Sequence, residues 1–349
     1  MMNEVFVVSD NIISPIGFTS AENMLQLKQS RSGIALHEKS HFSSTPFYAS
    51  LFEQGTVFLR DNDDAYTKFE QLLIASINDA LKNTDMDIRD KKTVLIISST
   101  KGNISLIETE AFDRELQERV SLHESAKRVA AYFDHPNKPV VVSNACISGV
   151  LALLTGMRLI QSGQYENAVV AGCDVITKFI LSGFQSFMAV SPQPCKPFDA
   201  ERDGVTLGEG AATVILSSNK KYAGKIRLAG GSVNNDANHI SGPSRTGEEL
   251  ALAIKNALKN AGISSNEIDF ISAHGTATVY NDEMEAKAIS LTNMEHVPVN
   301  SLKGNYGHTL GAAGLIESII TIHSLQEDIV LPTKNFNETG VSKPINICS

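Results

Sequence analysis

Three segments of this sequence each end in a side chain able to act on a carbonyl group. The first is Val140-Val141-Val142-Ser143-Asn144-Ala145-Cys146-Ile147-Ser148-Gly149. Its three β-branched residues predict a buried strand, and the small residues after them predict a turn into a helix. Cys146 then falls at the positive end of a helix, a setting that lowers a thiol pKa and favours the thiolate. The same corner suits a structural cysteine, since buried cysteines are common. The segment alone leaves both open. The second segment predicts a strand over 269–273 that delivers His274 at its C-terminal end, the edge where layered α/β proteins bind ligands. Gly275 permits close approach, and Thr276 and Thr278 offer hydroxyls. A lone histidine there is more often satisfied by neighbouring polar groups. The third runs from Asn300 to His308, where a strand again ends in a glycine-bearing loop. Lys303, in that loop, reads by itself as a surface or ion-pair lysine. One thiol and two histidines, each at the end of a separate strand, form a constellation. Cysteine with histidine points to covalent acyl transfer. A cysteine hydrolase needs one histidine and an orienting Asn or Asp. A second histidine suits charge developing on another carbonyl, as in decarboxylation to an enolate, where each preset donor contributes on the order of two to four kcal/mol.

The elements that must position these residues alternate along the chain. Val5 to Val8 predicts a strand and Ser14 to Gly17 a turn. The stretch from Ala21 to about Arg60 reads as an irregular cap. Phe69, Leu72, Leu73, Ile77 and Leu81 carry helical spacing over 68–82. A strand follows at 94–97, then helical stretches over 107–133. The helix after Cys146 runs to about Gln161, and the next buried strand covers 168–172. A loop-rich stretch from Pro192 leads into a strand over 212–216. Lys220 to Gly224 marks a boundary, dividing the chain into an N-terminal half at 1–222 with Cys146 and a C-terminal half at 223–349 with His274 and His308. Beyond it come strands at 226–229, 269–273 and 297–300, with helices at 248–261, 282–291 and 311–325. Such alternation argues α/β layering. Val140–Val142 leading to the helix after Cys146 is echoed by Val297-Pro298-Val299 leading to Gly311-Ala312-Ala313-Gly314, a weak sign of duplicated halves.

Composition narrows the function classes. At 349 residues the chain can bury a large core. A net charge of -9 argues against a nucleic-acid binder, which needs a basic face. No apolar run approaches the roughly 20 residues of a membrane span, and no signal peptide is evident at the N-terminus. The four cysteines form no Cys-x-x-Cys pair, so neither a disulfide framework nor a zinc site is expected, and a cytoplasmic location fits.

Several separated blocks together resemble the β-ketoacyl-acyl carrier protein synthases of the thiolase superfamily, the elongating, synthase II-like type. They are Asn144 to Gly149, Pro197-Phe198-Asp199-Ala200-Glu201-Arg202-Asp203-Gly204, and Leu207-Gly208-Glu209-Gly210-Ala211. The order continues with His274 to Thr278 followed by Asp282 and Glu285, then Lys303 to His308, then Gly311 to Gly314 with Glu317. The resemblance implies a five-layer αβαβα sandwich of two similar halves. It implies that Cys146 takes an acyl group as a thioester. His274 and His308 would bind the malonyl thioester carbonyl and support loss of carbon dioxide, and the enolate would attack acyl-Cys146 to give a 3-oxoacyl product. Lys303 would set the electrostatics, paired with Glu317, while Asp282 gives structural support. Thr276 and Thr278 would bind the phosphopantetheine arm, and the Cys146 amide would donate to an oxyanion. No metal or tightly held cofactor is implied, since phosphopantetheine arrives on the acyl carrier protein. That carrier is the expected partner, and a homodimer or a ketosynthase heterodimer the expected assembly. The other reading is a non-catalytic subunit resembling a chain-length factor, a type that lacks the nucleophile. A thiolase-fold hydrolase would not need both histidines.

The chain departs from the family pattern in four places. A Gly-Phe-Gly-Gly-type loop and a last strand are expected after Leu331-Pro332-Thr333, yet the chain stops at Ser349, so truncation of the C-terminal strands is expected. Lys101 stands near a position that is often apolar in relatives and bounds the acyl pocket, and it is expected to point to solvent. Asp61-Asn62-Asp63-Asp64 stands where relatives place basic residues for the carrier; it reads first as a solvated loop charge run, and otherwise shifts the expected docking to Lys68 and Lys196. The segment before Cys146 is short, which suggests a reduced cap. The cap, Lys101 and the acidic run tilt the reading from fatty-acid synthesis toward a specialised polyene or polyketide pathway.

Overall fold

The computed structural model describes residues 3–38, 40–59, 65–111, 113–236 and 242–349. The acidic run 61–64 lies outside them. The chain enters through β1 (Phe6–Ile13), α1 (Ser20–Lys28), β2 (Ile34–His37) and β3 (Phe47–Ser50), then α2 (Lys68–Lys82) and β4 (Thr93–Ser98). Three short helices follow, α3 (Leu106–Thr109), α4 (Arg114–Arg119) and α5 (Leu122–Tyr132), then β5 (Val140–Val142) and α6 (Ser148–Gln161). Next come β6 (Asn167–Asp174), α7 (Lys178–Ser186), β7 (Leu207–Gly208) and β8 (Gly210–Ser217). The last part holds α8 (Glu248–Ala261), β9 (Ile271–Ser272), α9 (Val279–Leu291), β10 (Pro298–Asn300), α10 (Lys303–Tyr306), α11 (Ala313–Glu327) and β11 (Asn346–Ile347).

Five strands form the first sheet in the order β1-β8-β6-β4-β5. β4 runs parallel to both β5 and β6, and β8 pairs antiparallel with β6 and β1. Side chains alternate between the two faces. Val94, Ile96, Ala168 and Val170 pack toward α6 and α11, while Leu95, Ile97, Val169 and Ala171 pack toward α2 and α5. Burial on both faces explains the continuous apolar runs of these strands. The second sheet, β11-β10-β9, is parallel. Ala286 and Ile289 of α9 cover it through Val299, and α8 packs beside α9 with Ile254 against the same cluster. The result is five layers: α2 with α5, the first sheet, α6 with α11, the second sheet, and α9 with α8. A small third sheet, β2-β3-β7, stands beside them.

The two central helices cross at glycine. A Cβ on Gly149 of α6 would meet the amide of Leu315 at 2.9 Å, and one on Gly314 of α11 would meet the amide of Val150 at 2.8 Å. Backbone therefore touches backbone at the start of both helices, which is the use of the small residues in the two echoing βα units.

Two expectations need correction. Among its described residues the stretch 21–60 is not irregular throughout. Thr19 and Glu22 form a capping box that starts α1, and β2 and β3 pair with each other and with β7. The pairing of β3 with β7 is tertiary and leaves no local signal in the sequence. The strand expected at 226–229 exists only as an antiparallel bridge, Phe6 to Arg227. Its amides and carbonyls meet the free edge of β1, with the Val7 amide donating to the Ile226 carbonyl at 2.8 Å and the Leu228 amide to the Val5 carbonyl at 2.9 Å.

Candidate active site

β5 ends four residues before Cys146, and the corner between them is closed by a side chain. Ser148 Oγ accepts from the Asn144 amide at 2.8 Å and donates to the Ala145 carbonyl at 2.7 Å. Ala145 takes a φ of 46°, a left-handed conformation that an alanine adopts only where the surroundings impose it. The corner thus holds Cys146 two residues ahead of the first residue of α6, as expected. Its effect on the thiol is the reverse of that expected. Burial pushes the Cys146 thiol up from its ordinary value, and the nearby Lys303 ammonium offsets only part of this. The group awaiting substrate is a thiol.

The segments that follow β9 and β10 converge on it, with His308 standing beyond α10 rather than directly at a strand end. His308 Nε2 lies 3.0 Å from Cys146 Sγ. The His274 and His308 rings stand edge to face with centroids 5.0 Å apart. The Cys146 sulfur and one nitrogen of each histidine lie within 4.8 Å of one another. Lys303, fully buried at 1% exposure, places its ammonium against the Glu317 carboxylate, 2.9 Å from the His274 carbonyl and 3.4 Å from His274 Nδ1. Five of the residues singled out in the sequence therefore meet.

The polar partners fix both tautomers. The Leu310 amide donates to His308 Nδ1 at 3.2 Å. An ammonium offers only donors, so His274 Nδ1 also accepts, from Lys303. A neutral imidazole whose Nδ1 accepts carries its proton on Nε2. Burial, and then the Lys303 charge, hold both histidines well below their ordinary pKa, so both are neutral near pH 7. The site presents two uncharged N–H donors beside a thiol. Burial raises the Glu317 carboxyl from its usual value, against the pull of Lys303.

The remaining sequence candidates support the loops. Glu285 accepts from the His274 and Gly275 amides at 2.7 and 2.6 Å, and burial with neighbouring Asp282 pushes it up to about 7. Asp282 accepts from the Phe198 amide at 2.7 Å and the Ala277 amide at 3.2 Å. Burial pushes its carboxyl up to about 6. Neither carboxylate bonds to the imidazole of His274 or His308. The Thr276 and Thr278 hydroxyls bond to each other at 3.0 Å in the loop after His274. Lys101 is exposed, as expected. Lys68 turns its ammonium to the buried Glu209 carboxylate at 2.7 Å, and Lys196 pairs with Glu201 at 2.6 Å, so both lysines expected at a docking face are already engaged.

Sequence reasoning missed Asp174. It closes β6 and is buried among the loops that follow β4 and His308. An acid at the end of an otherwise apolar strand was the available signal, because a buried charge must find donors.

The chain as a whole is similar to known proteins. Residues 2–221 match the model described as Beta-ketoacyl synthase, N-terminal domain, and residues 207–337 match its C-terminal domain. A relative from Vibrio cholerae serotype O1, named 3-oxoacyl-[acyl-carrier-protein] synthase 2, is 30% identical over 95% of this chain and 88% of its own. The crystal structure of a beta-ketoacyl synthase from Burkholderia phymatum superposes with a TM-score of 0.87 at 25% identity, covering 100% of this chain and 93% of that one. The ishigamide ketosynthase/chain length factor gives a TM-score of 0.87 at 26% identity over 99% of this chain and 93% of that one. The five layers are thus the thiolase-like sandwich that the resemblance implied.

Proposed function

The chain belongs to the beta-ketoacyl synthase family, and on that premise we propose that it is an acyltransferase performing a decarboxylating Claisen condensation. The Cys146 thiol attacks a carrier-bound acyl thioester. The acyl group passes to sulfur, and the proton leaves with the departing pantetheine thiol. Malonyl-acyl carrier protein then binds with its thioester carbonyl at the Nε2–H groups of His274 and His308. Its C–CO₂ bond breaks, carbon dioxide leaves, and the electron pair becomes an enolate whose oxygen those donors stabilise. The enolate carbon attacks the acyl-Cys146 carbonyl, a C–C bond forms, and the Cys146 thiolate is released with 3-oxoacyl-acyl carrier protein.

The observation that carries this reading is the convergence of the Cys146 sulfur with one ring nitrogen each of His274 and His308 within 4.8 Å. A metal ion at the same three atoms would have to displace both Nε2 protons, and the groups facing Nδ1 are donors that could not accept them in exchange. The donor set favours the metal-free reaction. Retention of Cys146 with both histidines favours an enzyme over a non-catalytic partner subunit. Thr276 and Thr278 are assigned to the phosphopantetheine arm. The Cys146 amide is assigned as an oxyanion donor, and the cytoplasm as the place of work. The likeness to the ishigamide ketosynthase/chain length factor supports a dimeric assembly, homodimer or ketosynthase heterodimer, in fatty-acid or polyene and polyketide synthesis. Among the described residues no helix is long and apolar enough to cross a membrane. The test is intact-mass measurement after mixing with an acyl carrier protein loaded with a short acyl chain. One acyl group on Cys146 is expected, and acylation spread over Cys173, Cys195 and Cys348 would contradict the assignment.

A further inference from the structure

Asp174 lies outside the reacting groups, yet its carboxylate joins two loops of the site. Oδ1 accepts from Ser99 Oγ at 2.7 Å and from the Thr100 and Lys101 amides at 3.2 and 3.3 Å. Oδ2 accepts from the Thr100 amide and hydroxyl, both at 2.9 Å, and from the Gly311 amide at 2.7 Å. Burial raises its carboxyl from the usual carboxylate value, and the donors on every side, with no acceptor offered, work against that rise and favour the carboxylate. Its tie to Gly311 bears on His308. The Gly311 carbonyl accepts from Ser98 Oγ at 3.1 Å, so both polar groups of this residue are pinned. A Cβ on Gly311 would meet Asp174 Oδ2 and Ser99 Cα, each at 2.8 Å, so no other residue fits the clamp. Leu310, just before it, is forced to a φ of 51°, a strained conformation for a leucine. That conformation aims the Leu310 amide at His308 Nδ1. The His308 backbone is fixed separately, its amide donating to the Thr206 carbonyl at 2.7 Å and its carbonyl accepting from the Gly208 amide at 3.0 Å.

We propose that Asp174 is a positioning residue: by holding the 310–311 turn it keeps the Leu310 amide on His308 Nδ1 and so directs the His308 Nε2 proton at Cys146. Its importance for turnover rests on the condensation proposed above, whereas its effect on the tautomer does not. An Asn at 174 cannot accept on both sides, so the turn relaxes and the Nδ1–H form of His308 becomes populated.

The experiment is ¹⁵N NMR of histidine-labelled full-length protein, with His308 assigned by loss of its signals in His308→Ala. Asp174→Asn and Ser99→Ala are compared with wild type, and malonyl carrier decarboxylation is measured in parallel. Wild type is expected to show His308 protonated at Nε2 alone. Asp174→Asn is expected to show a mixture of both forms, with decarboxylation kcat reduced by about 10²-fold and KM little changed. Ser99→Ala, which loosens the same cluster but leaves the Gly311 tie, is expected to keep the wild-type tautomer. An Nδ1 proton on His308 in the wild type would overturn the proposal, whether or not the variant folds. So would an unchanged His308 in Asp174→Asn whose activity loss is matched by Ser99→Ala. Absence of decarboxylation by the wild type would instead count against the condensation, with the spectra still deciding the role of Asp174.

Discussion

The Lys303 ammonium stands 3.4 Å from His274 Nδ1 while paired with the Glu317 carboxylate. One buried charge therefore has two tasks, neutralising Glu317 and holding the His274 proton on Nε2. Breaking a buried ion pair by removing one member typically costs about 3–5 kcal/mol, whereas replacing both members together costs far less. Lys303→Met is accordingly expected to lower stability by about that amount. The double variant Lys303→Met/Glu317→Met is expected to recover most of it. Neither should decarboxylate malonyl carrier protein at more than about one-hundredth of the wild-type rate, because His274 loses its orienting donor. Denaturant unfolding and carbon dioxide release check the two parts. A double variant restored in activity as well as stability would show that Lys303 only neutralises Glu317.

Because burial raises the Cys146 thiol, its thiolate fraction at pH 7 is smaller than that of a free cysteine. The rate of alkylation by iodoacetamide is expected to climb about tenfold per pH unit and to be still rising at pH 9. A plateau below pH 8 would mean that the helix end and Lys303 outweigh burial.

Lys68 is bound to a carboxylate that also accepts from the Ile176 and Phe52 amides. Lys68→Ala is expected to destabilise the fold by about 1.5–3 kcal/mol, the range for a hydrogen bond to a charged group. The KM for the acyl carrier is expected to stay within twofold of wild type. A raised KM with an unchanged unfolding midpoint would return Lys68 to the docking face.

At the helix crossing, the Cβ of Gly149→Ala would press on the backbone of residues 311 to 315. Overpacking of this kind costs about 1–3 kcal/mol, and here it also moves the corner that carries Cys146. Stability and acyl transfer are expected to fall together. A stable variant with normal acylation would show that the crossing can widen without disturbing the site.

Much of this was legible in the sequence because the signals were local. Val94 to Ile97 and Ala168 to Gly172 are apolar on both faces, and the spacing from Phe69 to Leu81 marks α2 within its capping box at Thr67 and Glu70. Cys146, His274 and Lys303 each stand within four residues after a strand, while His308 follows the short helix α10; small residues flank them, and those turn signals survive without tertiary context. What was not legible depends on contacts far apart in the chain. β3 and β7 form by pairing across more than 150 residues, the 226–229 segment is fixed by the edge of β1, and the ammonium of the exposed Lys68 is tied to the buried Glu209. The thiol shift is of the same kind, since the partial burial of Cys146 comes from groups distant in the chain that pack around its sulfur. Asp174 was readable only as a charge in need of donors, and the donors come from loops 75 and 137 residues away.

The central claim is that one thiol carries the acyl group while two separate Nε2–H donors carry the decarboxylation. It is tested most directly by giving wild type and Cys146→Ala the same acyl and malonyl carriers and reading both carbon dioxide and product mass. Wild type is expected to form the 3-oxoacyl carrier, longer than the acyl donor by two carbons. Cys146→Ala is expected to form none of it while still releasing carbon dioxide from malonyl carrier protein. A 3-oxoacyl product from Cys146→Ala would contradict the account.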